Sequence, residues 1–289
     1  MAEEVKQEVR RFYDQVGWQL EADGLYQNAH YEDLRPVSAE YIHKCHLRVG
    51  KYLDGHGKYL LDAGSGPVQY EEYMTYLKGY QYRVCADISI VALREARKKL
   101  GERGLFVATD VANLPFKTDV FEGVMSMHTI HHLPRKDHRR AYQELYRVTQ
   151  PGHTAVVVNG WSDPALIGWL DKTVKFFNRT RKKLVRMLRG KGPSPAGKPK
   201  EKGTFVQKYN ADWLKKELDG TVPVEILVWR SASVRFLRTF IHPWLGGRML
   251  LRMLFNLEEK HPHYFGENGQ YPLILMRKPE RAASQHDGR

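Results

Sequence analysis

Tyr59-Leu60-Leu61-Asp62-Ala63-Gly64-Ser65-Gly66-Pro67-Val68-Gln69-Tyr70 is an apolar run that breaks into a glycine turn and then resumes. Tyr59–Ala63 has the length and apolar content of a buried strand. Gly64 and Gly66 let the backbone turn sharply and approach a ligand closely. Pro67 has the fixed φ suited to a first helical position, so a helix is expected from about residue 68. Its first N–H groups would then favour a carboxylate or phosphate lying over the glycines.

Outward from this stretch, residues 59–158 alternate between strand and helix patterns with short connections, the signature of parallel βαβ units. Strands are expected at Tyr59–Ala63, Tyr82–Asp87, Gly104–Thr109, Phe121–Met127 and His153–Asn159, followed by Val222–Trp229 and Tyr271–Met276. Helices are expected at 68–79, 90–100 with Ser89 as N-cap and Gly101 just past the end, 136–149, and Ala211–Leu218 capped by Asn210. Right-handed crossovers bring every parallel strand's C-terminal end to one edge. Chemistry should therefore gather at Asp62–Gly66, Asp87, Asp110 and His128–His132. Before the first strand, residues 3–16 and a helix capped by Ser38 and running to about Leu53 carry apolar positions at helical spacing, joined by an aromatic-rich connector that includes Trp18, Tyr26 and Tyr31.

The chain of 289 residues is 42% hydrophobic, enough for a substantial core. Its two cysteines, Cys45 and Cys85, lie in apolar segments without metal-ligand spacing and read as reduced core residues. The first fifteen residues are amphipathic with no apolar core, unlike a signal peptide, and no uninterrupted apolar run is long enough to span a membrane. A cytoplasmic protein is expected. The net charge of +13 is concentrated between residues 171 and 210, where thirteen Lys and Arg face only Asp171 and Glu201. That surplus of eleven leaves +2 for the rest.

Asp87 closes the second strand 21 residues beyond Gly66, where a carboxylate can accept both ribose hydroxyls of a nucleoside. A dinucleotide enzyme shares these two features. However, its third glycine would fall at Gln69, and a second glycine-rich half is missing.

With four ordered pieces in hand, the sequence resembles the class I S-adenosylmethionine-dependent methyltransferases, and within them the small-molecule branch of ubiquinone/menaquinone type. The pieces are Leu-Leu-Asp62-Ala-Gly64-Ser-Gly66-Pro, Ala-Asp87-Ile-Ser, Thr109-Asp110-Val111-Ala-Asn-Leu-Pro-Phe116, and Phe121 through His132-Leu-Pro with Glu144–Gly152. The resemblance implies an α/β Rossmann-like fold. It would have a seven-stranded, mostly parallel sheet with helices on both faces, N-terminal helices, and a helical insertion or cap. It also implies S-adenosylmethionine as cofactor, held by Asp62, Gly64, Ser65, Gly66, Asp87, Ile88, Asp110, Val111, Met127 and Tyr13, with no metal. In that reading Asp87 takes the ribose, and the Asp110 side chain takes the adenine amino group. His128 and His131, with His132 beside them, lie where the departing methyl points. They serve either as base and acceptor-positioning groups or as packing around the cofactor.

A sulfonium is already a strong methyl donor, so the acceptor leaves few marks on the sequence. No Asn/Asp-Pro-Pro-Tyr/Phe tetrad follows the fourth strand, which argues against amino-methylation of adenine or glutamine. No cysteine stands there for attack on a pyrimidine. The expected domains are a lid at 1–54, a cofactor core at 55–160, a basic helix and loop at 161–210, the end of the core with an apolar cap at 211–279, and a tail at 280–289. A helix over 166–188 opposes an apolar stripe to cations and is followed by a Gly/Pro/Lys-rich loop. This suits an anionic membrane surface better than nucleic acid, since stacking aromatics are few, and it equally suits a cap that covers the substrate pocket with its apolar face and shows its cations to water. The expected function is methyl transfer to a hydrophobic small-molecule or lipid-like acceptor by a cytoplasmic protein, in contact with the inner membrane face through 166–202. The rivals are RNA methylation through the basic arm and a cofactor-fold protein without transfer.

Overall fold

The computed structural model describes residues 2–53, 55–166, 168, 179–180 and 203–281. The expected amphipathic helix after residue 168, its Lys-rich loop and the end of the tail lie outside the described residues.

Seven strands form one sheet: β1 Gly57–Ala63, β2 Tyr80–Asp87, β3 Gly104–Ala108, β4 Phe121–Met127, β5 Thr149–Val158, β6 Glu225–Arg230 and β7 Tyr271–Arg277. Their order is β3-β2-β1-β4-β5-β7-β6. The first five pair in parallel, while β7 runs antiparallel to both β5 and β6. The order reverses between β2-β1 and β4, and open α/β sheets place their ligands at such a point.

Side chains alternate across the strands. Leu61, Val84, Val124, Val157 and Ile274 pack on one face with helices α5 Arg135–Val148 and α6 Ala211–Leu218. Leu60, Cys85, Met125, Val156 and Leu275 pack on the other with α3 Glu71–Met74 and α4 Ile90–Leu100. Leu60, Leu61 and Val124 are fully buried, each contributing about 1.5–3 kcal/mol of transfer free energy. A third cluster joins α2 Ala39–Leu47 to α7 Val234–Phe240 and α8 Gly247–Lys260, which with α9 Pro262–Asn268 fill the connection between β6 and β7. It is pinned by buried Glu258, whose carboxylate takes Arg48 at 2.9 Å and the Tyr41 hydroxyl at 2.7 Å. Removing one partner of such a buried pair costs about 3–5 kcal/mol.

The capping expectations hold for α4 and α6. The Ser89 hydroxyl accepts the Ala92 N–H at 3.1 Å, and Asn210 accepts that of Trp213 at 2.9 Å. Three local expectations are corrected. The helix after β1 begins at Glu71 rather than at Pro67, because Gly66 (φ 53°) and Val68 (φ 52°) are both left-handed and the chain is still turning there. A β-branched residue in that region carries about 1–3 kcal/mol of strain. Ser38 precedes α2 but does not cap it; its hydroxyl donates to Asp33 at 2.6 Å. Pro223 has no N–H for the ladder, and β6 starts only at Glu225.

Candidate active site

At the C-terminal edge of the parallel strands lies a cavity of about 470 Å³, within the range of roughly 300–1,000 Å³ usual for small-molecule sites. It collects all twelve residues singled out from the sequence: Tyr13, Asp62, Gly64, Ser65, Gly66, Asp87, Ile88, Asp110, Val111, Met127, His128 and His131.

The glycine loop is held from below. The Asp87 carboxylate accepts the Gly66 N–H with one oxygen and the Ser89 N–H with the other, both at 2.8 Å. Burial pushes the Asp87 carboxyl up to about 6 despite these two donors. Gly64 (φ 75°) passes so close to Thr129 that a Cβ would lie 2.1 Å from its hydroxyl oxygen, and a Cβ on Gly66 would lie 2.9 Å from the Trp18 ring. Asp62, also in the cavity lining, is already engaged. It is buried in an ion pair with Arg83, which also donates to the Tyr73 carbonyl, so this acid braces β1 against β2 beneath the loop.

The roof is the N-terminal segment, helix α1 Ala2–Phe12 with the turn Tyr13–Gly17. It is tied to the ends of three strands. Lys6 sits 2.5 Å from Asp110 and 2.6 Å from Asp137. Asp14 accepts the Ser89 hydroxyl at 2.5 Å. Tyr13 meets His132 Nε2 at 2.8 Å and stacks on Trp18 with centroids 5.0 Å apart.

The far end is lined by histidines and aromatics. His132 Nδ1 lies 2.8 Å from the Phe205 carbonyl, which can only accept. That nitrogen therefore carries the proton, and Tyr13 donates to Nε2. His131 Nδ1 donates to Asn159 at 2.5 Å. His128 has a left-handed backbone (φ 55°), and its ring meets Trp229 and Tyr271 edge-on at 4.9 and 5.5 Å. Burial lowers all three histidines, His128 to about 3 and His132 to about 4, so each is a neutral imidazole at pH 7.

Several lining residues escaped sequence reasoning. Arg230 and Glu32 form a buried ion pair across 198 positions of chain, which no local pattern could signal. Lys208 is one of thirteen cations in its neighbourhood of sequence, and Lys6 stands on an ordinary amphipathic helix. Among the described residues, no group of three His, Cys, Asp or Glu is arranged to hold a metal ion.

The residues fit a sulfonium nucleoside. The loop is a cradle that side chains would fill, and the carboxylate beneath it keeps acceptor capacity for hydroxyl donors. Buried Gln69 Nε2, in the cavity lining, has no hydrogen-bond partner among the described residues. Residues 61–157 match the model of the methyltransferase domain family. This stretch is a class I methyltransferase domain. S-adenosylmethionine is its cofactor.

Solved structures agree on the fold. Geranyl diphosphate C-methyltransferase of Streptomyces coelicolor A3(2), in complex with Mg2+, geranyl diphosphate and S-adenosyl-L-homocysteine, matches with a TM-score of 0.54 at 13% identity over 95% of this chain and 98% of that one. Phosphoethanolamine N-methyltransferase 1 of Haemonchus contortus, with phosphoethanolamine and S-adenosylhomocysteine, gives 0.57 at 9% identity. It covers 100% of this chain, which spans 52% of the nematode protein. A putative methyltransferase of Haloferax volcanii, in complex with the Trm112 activator, gives 0.52 at 14% identity over 84% and 92%. At these identities the likeness is one of fold.

Proposed function

We propose that this methyltransferase transfers the methyl group of S-adenosylmethionine to a hydrophobic small-molecule or lipid-like acceptor, at oxygen, carbon or nitrogen. The observation that carries the reading is the continuity of one cavity from the Asp87-braced glycine loop to the aromatic wall of Trp229 and Tyr271, under a roof formed by α1. The resemblance to ubiquinone/menaquinone-type enzymes supports an apolar acceptor.

In this reading Asp87 and Ile88 hold the ribose, Asp110 and Val111 the adenine, and Gly64, Ser65 and Gly66 the methionine end, with Met127 and Tyr13 closing around them. The cofactor, when bound, supplies an activated methyl. The chain supplies position and exclusion of water. His128 is the candidate base: it is neutral, lines the cavity, and its ring makes no hydrogen bond to the described residues. His131 is oriented by Asn159 to present Nε2 to the same space, and His132 is committed to Tyr13 and Phe205.

The test is incubation with methyl-labelled cofactor and cell extracts, followed by mass spectrometry of the labelled product. Label in an organic-extractable small molecule supports the reading. Label lost on nuclease treatment transfers it to RNA. Binding of S-adenosylhomocysteine without label in any fraction leaves the non-transferring rival.

A second aspect concerns where the acceptor is met. No helix among the described residues is long and apolar enough to cross a membrane. Yet Trp244, Met249 and Met253 are 78%, 62% and 56% exposed along one side of α8 and the turn before it, beside exposed Arg248. This favours peripheral contact of a cytoplasmic protein with an anionic bilayer. Co-sedimentation with phosphatidylglycerol-rich liposomes checks it; a Trp244→Ser/Met249→Ser variant that sediments like the parent removes this face from consideration.

A further inference from the structure

Among the described residues four cations line the cavity, and three are neutralised by carboxylates: Lys6 by Asp110 and Asp137, Arg83 by Asp62, and Arg230 by Glu32. The fourth is Lys208. Among the described residues no carboxylate pairs with it, and burial lowers its ammonium below the ordinary lysine range with nothing opposing.

Its position is built. Residues 203–209 form a strap across the histidine turn, held by the Gln207 N–H on the His131 carbonyl at 2.7 Å, the Phe205 carbonyl on His132, and the Ser162 N–H on the Tyr209 carbonyl at 3.0 Å. The ammonium rests over Gly160 at the end of β5, where a Cβ would lie 3.0 Å from Nζ. It is close enough to depress all three histidines electrostatically. A cation withdrawn from water without a counter-charge is costly, and a cavity that keeps one beside an aromatic wall has a place for an anion.

We propose that Lys208 binds the single negative charge, a carboxylate or ionised phenol, of an acceptor whose apolar body lies against Trp229 and Tyr271. One unpaired cation among the described residues, with Arg230 already neutralised, matches a monoanion rather than a diphosphate. This inference rests on the methyl-transfer reading and narrows its acceptor. Lys208 then acts as a specificity residue that sets the acceptor oxygen beside His128.

The test uses the full chain saturated with S-adenosylhomocysteine. 2-Naphthoate and decanoate are titrated calorimetrically against their uncharged counterparts, 2-naphthalenemethanol and 1-decanol. At least one acid is expected to bind tenfold or more tighter than its alcohol. Lys208→Met should abolish that preference while S-adenosylhomocysteine affinity stays within twofold, which also shows that the variant is folded. Gly160→Ala, which displaces the ammonium without removing it, should reduce the preference severalfold. The inference is overturned if neither acid is preferred by the wild type, or if the preference survives Lys208→Met. It is equally overturned if that variant loses tenfold in S-adenosylhomocysteine affinity, which would assign the cation to the cofactor's own carboxylate. A wild type that fails to bind S-adenosylhomocysteine defeats the methyltransferase reading itself, a separate result.

Discussion

The ammonium of Lys6 lies 2.5 Å from Asp110 and 2.6 Å from Asp137, so one side chain of the first helix bridges the end of β3 to the start of α5. Both carboxylates hold Lys6 above its ordinary value against the opposing effect of burial. The bridge fastens the roof over the place proposed above for adenine. Lys6→Met should raise the dissociation constant of S-adenosylhomocysteine about three- to tenfold, or roughly 0.7–1.4 kcal/mol, and speed proteolysis within α1. Unchanged affinity in a calorimetric titration would remove the roof from cofactor binding.

If Asp87 holds the ribose as proposed, cofactor affinity depends on pH. Its folded value of about 6 lies above the ordinary carboxyl value of 3.8, and ribose hydroxyls prefer the ionised form as acceptor. Affinity should therefore be constant above about pH 7 and fall as pH drops through 6, with proton release on binding between pH 5 and 6. Titration in buffers of different ionisation enthalpy reads that release directly. Asp87→Asn should weaken binding tenfold or more and flatten the dependence.

The buried histidines act on stability in the acid range. His128 is protonated at about 6.5 when unfolded but only at about 3 when folded, so the unfolded chain binds more protons between those values. Its contribution to stability is complete above pH 6.5 and is lost as pH falls. Acidification from pH 7 to 5 should lower the melting temperature, and His128→Asn should make the decline shallower by several degrees. Equal slopes in a calorimetric pH series would show that the ring is more hydrated than its packing indicates.

Gly64 should tolerate no side chain. Gly64→Ala places a methyl 2.1 Å from the Thr129 hydroxyl at φ 75°, and the left-handed backbone alone costs about 1–2 kcal/mol. Thr129→Gly in the same chain should recover only the contact part. A double-mutant cycle followed by thermal melting separates the two.

The strands were legible because burial on both faces makes them largely apolar, as Ala155–Val158 of β5 illustrates, and for Phe121–Met127 the expected and observed limits are identical. The helix after β1 was not, since its start depends on how far Gly66 and Val68 must turn beneath Trp18, a residue nearly fifty positions earlier. The cavity residues proposed for the cofactor could be gathered from the sequence because they sit in short motifs at successive strand ends. Those proposed for the acceptor could not. Glu32, Lys208 and Arg230 come from three separate segments, and only the folded chain reveals that two of them neutralise each other while the third has no carboxylate partner among the described residues.

The reversed direction of β7 has a practical side. Because it runs against its neighbours, the chain leaves Arg277 at the sheet edge opposite the cavity, where Lys278 and Arg281 both grip Asp119 ahead of β4. Helix α1, in contrast, crosses the mouth. Arg281 thus stands on the edge away from the cavity, where a reporter attached at that side chain is kept from the segment tied over the site.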